Sequence, residues 1–73
     1  MIIVTRIVLL PPDEDEDVDV EVLPSIHLTD DSALEEIAKI AGTADNWAIH
    51  ELTSTGQTRQ LAITGNPLRI VRP

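Results

Sequence analysis

The chain of 73 residues has no cysteine, phenylalanine or tyrosine, one tryptophan, three glycines and five basic side chains. Each shortage removes a class of answer. Without cysteine there is neither a disulfide framework nor a thiolate zinc site, and nothing argues for an oxidising compartment, so a cytoplasmic location is expected. No apolar run approaches the roughly 20 residues of a membrane-spanning helix. The opening MIIVTRIVLL lacks the basic start and small-residue cleavage site of a secretory leader and reads as a strand. Gly42, Gly56 and Gly65 are isolated turn glycines and build no phosphate-cradling loop. Five cations against 13 acids, for a net charge of −8, disfavour direct nucleic-acid binding, which needs clustered Lys and Arg. No cofactor is expected.

What remains is 42% hydrophobic and almost wholly aliphatic, enough for one small α+β domain over residues 1–73. Ile2 to Leu10 is apolar at both parities apart from Thr5 and Arg6, the pattern of a central strand, and Pro11-Pro12 ends it. In Val18 to Leu28 the even positions are apolar through Pro24 while the odd ones begin Asp19, Glu21, which suggests an extended edge strand closing an antiparallel hairpin with the first. TDDSALEEIAKIAG predicts a helix capped by Asp31 or Ser32, with Ser32 and Glu35 spaced as a capping box and Gly42 just past the end. Leu34, Ile37, Ala38 and Ala41 form the stripe expected to face the sheet. Asp30, Asp31, Glu35 and Glu36 suit its positive N-terminal end.

Asn46 to Thr53 reads as a third strand, STGQT as a turn, Arg59 to Thr64 as a fourth strand with Leu61 and Ile63 on one side, and TGNP as a turn into LRIVR. The plan is a small antiparallel sheet, ββα and then two or three strands, with one amphipathic helix packed on one face. A lone helix covers one face of such a sheet. The second apolar parity of the first strand therefore needs the C-terminal hairpin folded across it or another molecule.

The charge is unevenly placed: residues 1–51 hold all 13 acids against Arg6 and Lys39, and residues 52–73 hold Arg59, Arg69 and Arg72 with no acid. Seven carboxylates, Asp13, Glu14, Asp15, Glu16, Asp17, Asp19 and Glu21, fall in nine residues. Asp13, Asp15 and Asp17 match the start of a calcium loop, but Val18 stands where that loop needs glycine and Pro24 where it needs glutamate. The run can be a solubilising edge that discourages strand pairing. It can also be a face for a basic protein. Asp17, Asp19 and Glu21 on one side of a strand stand about 6.7 Å apart, sparser than one phosphate per roughly 3.4 Å of a DNA strand. Five consecutive acids repel one another, and a cationic partner would relieve that repulsion and be attracted from a distance.

His27 and His50 are the neutral-pH titrators, each a conceivable general base beside Ser25, Asp30 or Glu51. His27 shares its parity with Asp19 and Glu21 and is expected to face solvent. His50 and Glu51 are adjacent in a strand and point to opposite faces. No catalytic set emerges, so no enzyme activity is expected. Trp47 is expected in the core against Ile37 or Ile40, and Arg69 and Arg72 are expected to flank a short last strand, solvated or paired with the acidic half.

VDVEV…DDSALEEIAKIAGTADNWAIHEL, about residues 18–53, resembles the ββαβ plan of small acidic phage-encoded inhibitors of host RNA polymerase; anti-CRISPR and anti-restriction proteins of similar size are related possibilities. The resemblance implies an acidic surface that occupies a basic nucleic-acid channel of a host enzyme. It carries over no individual binding residue. The chain departs from it by adding TRQLAITGNPLRIVRP and by placing its densest charge in the first hairpin loop. The leading expectation is a non-catalytic module whose acidic hairpin, Asp13 to Glu21, docks on a basic protein surface, with no direct nucleic-acid or membrane contact. The alternative is a subunit that self-associates, as a homodimer for instance, through the apolar first strand or a sheet edge.

Overall fold

Apolarity at both parities suits a strand flanked on both sides. In the computed structural model, which describes residues 1–10 and 19–73, β1 (Ile2–Leu9) lies between β2 (Val20–His27) and β3 (Asn46–Leu52). β4 (Thr58–Gln60) extends the sheet beyond β3, giving the order β2-β1-β3-β4 with every pairing antiparallel. One helix, α1 (Asp30–Ala41), packs on one face, and β5 (Ala62–Thr64) and β6 (Arg69–Val71) make a separate antiparallel pair. The architecture is α+β, as the sequence pattern implies.

Residues directly opposite in an antiparallel ladder share a face, so the register assigns sides. Ile2, Val4 and Ile49 are buried with Ala33, Ile37 and Ile40 of α1, and this fixes the helix side. On that side lie Arg6, opposite Trp47 and Leu23, and also Ser25, His27, Glu51 and Arg59. The other side carries Ile3, Thr5, Ile7 and Leu9 of β1 and Val20, Val22, Pro24 and Ile26 of β2. Pro24 sits opposite Thr5 in an edge strand, where a missing amide costs the ladder least. The apolar parity of β2 thus turns away from the helix, and Asp19 and Glu21 have the parity of the helix side.

The helix begins two or three residues earlier than a cap at Asp31 or Ser32 implies. Thr29, in extended backbone (φ −128°, ψ 155°), accepts the Ser32 amide on its hydroxyl at 3.2 Å, so Thr29 is the cap and neither Asp31 nor Ser32 is. The Ser32–Glu35 capping box is therefore not formed. The buried stripe is Ala33, Ile37 and Ile40, while Ala38 and Ala41 are exposed and Leu34 is half-buried. Both stripes have helical spacing; the one containing Ile40 takes more apolar area out of water than two alanines can, and it sets the rotation.

The strand expected over Arg59 to Thr64 is divided at Leu61. Leu61 is buried and its amide donates to the Ile49 carbonyl at 3.0 Å, after which the chain leaves the large sheet and β5 pairs with β6. Leu61 and Ile63 do share a side, with Leu61 in the core and Ile63, Ile70 and Trp47 packed against it. The turn between β5 and β6 needs Gly65: its φ is +86°, and a Cβ there would stand 3.1 Å from the Pro67 carbonyl oxygen. This hairpin lies against the helix side, so it does not cover the second face of β1.

The helix rotation has a direct test. Ile37→Ala is expected to destabilise the chain by about 2–5 kcal/mol in urea unfolding, while Ala41→Ser, on the stripe first expected to be buried, is expected to stay within about 0.5 kcal/mol of the parent.

Candidate functional site

Asp13, Glu14, Asp15, Glu16 and Asp17 lie outside the described residues. Asp19 and Glu21 are exposed at the start of β2, where the Asp19 carbonyl accepts the Leu10 amide at 2.9 Å and Glu21 stands opposite Val8. β3 reaches only to Asn46, opposite Ile7, and beyond that point β1 and β2 continue as a pair with no third strand among the described residues. Neither Asp19 nor Glu21 makes an ion pair among the described residues. The two acids therefore project on an arm of the sheet.

Arg59 and Arg72 pair elsewhere. Arg59 donates to one Glu51 oxygen at 2.6 and 3.0 Å across the β3–β4 hairpin. Arg72 donates to the other Glu51 oxygen at 2.8 Å and to both oxygens of Asp30 at 2.7 and 2.8 Å. One guanidinium thus ties the last residues of the chain to β3 and to the first residue of the helix. Arg6 donates to Asp45 at 2.7 Å and holds the loop between α1 and β3. The expectation that Arg72 pairs with acids is met, but its partners are Asp30 and Glu51. The Arg59–Glu51 pair had a sequence signal, since the STGQT turn sets those residues opposite each other.

Hydrogen bonds from Arg72, then from Arg59, hold the Glu51 carboxyl below its usual range, and the bidentate hydrogen bond from Arg72 does the same for Asp30.

His27 departs from the expectation of a solvent-facing ring. It is half-buried on the helix side, with Nε2 2.8 Å from Ser25 Oγ and Nδ1 2.8 Å from Ser32 Oγ. Ser25 and His27 are two apart in a strand and so share a face, which is a spacing that does bring them together. Ser25 Oγ also reaches the Val4 carbonyl at 3.4 Å. The connectivity, hydroxyl to imidazole to hydroxyl, is that of a nucleophile, base and orienting group. An open cleft of about 410 Å³ lies beside Leu34, Ala38, Pro67 and Leu68 and another of about 350 Å³ beside Leu61, Val71 and Pro73, and this trio lines neither of them. The trio's evident effect is to fasten the edge strand β2 to the start of the helix.

Among the described residues no group of three or more His, Asp or Glu is disposed to hold a metal ion, and no helix is long and apolar enough to cross a membrane. No family model, curated protein or solved structure matches the chain.

The Arg72 network makes stability pH-dependent in a defined direction. Asp30 and Glu51 bind protons less readily folded than unfolded, so the unfolded chain protonates first as pH falls. The network's contribution is full above about pH 5, declines below the ordinary carboxylate values of about 3.9 and 4.3, and disappears once both folded carboxyls are protonated. Arg72→Met is expected to lower Tm at pH 7, and its difference from the parent is expected to shrink as pH falls below about 4, in thermal melts followed by circular dichroism.

Proposed function

We propose that the chain is a non-catalytic protein-binding module whose acidic ribbon, Asp13 to Glu21, docks on a basic surface of another protein. One observation carries this reading. Of Arg59, Arg69 and Arg72, the cations that could neutralise the ribbon, Arg59 and Arg72 are engaged by Glu51 and Asp30, Arg69 makes no ion pair with Asp19 or Glu21, and Arg6 is engaged by Asp45. Asp19 and Glu21 are left exposed at the ribbon's described end, without an internal cation.

A surface built to hold phosphates is the fitting target, because its Lys and Arg are clustered and hydrated until an anionic partner arrives. The module then acts as an inhibitor that occupies the nucleic-acid-binding surface of an enzyme. The phage-inhibitor resemblance over residues 18–53 supplies that form of the reading. A cytoplasmic setting accords with a chain that contains no cysteine.

The measurement is affinity for nucleic-acid enzymes with basic channels, at low and high salt, by calorimetry or surface plasmon resonance. Binding is expected to weaken by at least about tenfold between 50 and 300 mM salt, and to weaken likewise when Asp13, Glu14, Asp15, Glu16, Asp17, Asp19 and Glu21 are replaced by Asn or Gln. Binding indifferent to both changes refutes the reading.

A further inference from the structure

The large sheet has four charged residues in its strands, Arg6, Glu21, Glu51 and Arg59, and the register places all four on the helix side. The opposite face has none. Its apolar part is formed by Ile3, Ile7 and Leu9 of β1 and Val20, Val22 and Ile26 of β2, and Leu9, Val20, Val22 and Ile26 are 54–66% exposed. β3 and β4 continue the face with uncharged residues, from Ala48, His50 and Leu52 to Thr58 and Gln60. The C-terminal hairpin that could have covered it lies on the other side, against the helix.

We infer that this face is the interface of a homodimer, in which two copies pack sheet to sheet with a helix on each outer side. Charge selects the occupant. A chain of net charge −8 meets its own copy with electrostatic repulsion unless the contact is made where the acids are absent, and this face is the part of the large sheet where that holds. A partner chosen for its positive charge would find nothing here to pair with. Size agrees as well. Strands of eight, eight, seven and three residues, at about 3.3 Å per residue and about 4.8 Å between strands, outline roughly 400 Å² per copy. Side chains standing off the sheet add to this, so two copies bury on the order of 1,000 Å², the size at which specific interfaces begin.

The edges offer poorer routes. β2, one edge, carries Pro24 in its middle, and β4, the other, is three residues long, and both features discourage strand addition. Face-to-face packing leaves both edges as they are. It sets the two sheets about 10 Å apart with strands crossing near −30°, and it turns the two-sided apolarity of β1 into burial on both sides.

Light scattering coupled to size exclusion is expected to give the parent chain twice its 8.0 kDa mass, at low salt and in 1 M NaCl alike. Val22→Lys with Ile26→Lys places two charges on the face at positions 57% and 66% exposed in the single chain, and is expected to give the mass of one chain with its circular dichroism retained. Leu23→Lys, on the same strand but the helix side, is expected to leave the dimer intact. Should the double variant fail to fold, the parent's Tm must still rise with protein concentration. A parent of single-chain mass at millimolar concentration, a double variant that stays dimeric, or a Tm independent of concentration overturns the inference. A single-chain parent would leave the face to a different protein. Because the ribbon acids are untouched in every variant and the dimer survives salt, the outcome is independent of acidic docking.

Discussion

Ile37 lying on Ile2, Val4 and Ile49 is the contact from which the rest of the molecule follows. These side chains, with Ala33, Ile40 and Leu61, are the buried core among the described residues, and all belong to one layer between one helix and one side of one sheet. A chain this short cannot build a second core by itself. Which parity of β1 meets the helix therefore decides the side of every other strand residue. With Ile2 and Val4 inward, antiparallel pairing sends Arg6, Glu21, Glu51 and Arg59 to the helix side and Ile3, Ile7, Val22 and Ile26 to the other.

The charged side is then organised by proximity. The end of the sheet where Ile2, Glu51 and His27 align also receives the start of the helix, and both polar ties of that region gather there. Arg72 joins Asp30 to Glu51, and His27 joins Ser25 to Ser32. At the other end Arg6 holds Asp45, and past Asn46 the β1–β2 ribbon continues alone toward Asp19. Arg6, Arg59 and Arg72 thus secure the body of the fold, and Asp19 and Glu21 make no ion pair among the described residues.

Much of this was legible in the sequence, and the failures share one cause. The central position of β1, the edge position of β2 with its proline, the extent of β3 and the packing of a half-buried Trp47 against the core follow from composition and spacing, which are local. The rotation of α1 was not legible, because Leu34-Ala38-Ala41 and Ala33-Ile37-Ile40 both fit a period of 3.6 and only the sheet chooses between them. Nor was the break at Leu61, which depends on the Ile49 carbonyl across the sheet. The cap at Thr29 was hidden by stronger-looking acids two residues on. Of the candidate site, the exposure of Asp19 and Glu21 could be read directly. The Ser25–His27 contact was readable from a spacing of two, whereas Ser32 joined them only once the cap had moved to Thr29.

The parity of β2 is the most informative departure. Its regular Val20, Val22, Pro24, Ile26 alternation has the form that ordinarily identifies the core side of a strand. Here it faces away from the helix, while Leu23, Ser25 and His27 make the inward contacts. A sequence that used its best apolar alternation on solvent would lose the area term that stabilises small domains. The homodimer inferred above would restore that area term by turning the face into an interior. Under that inference, together with the proposed acidic docking, the uncharged face would hold two copies together and leave Asp19 and Glu21 of each copy accessible. Two ribbons on one dimer would engage paired or repeated basic sites with an effective concentration that a single copy lacks.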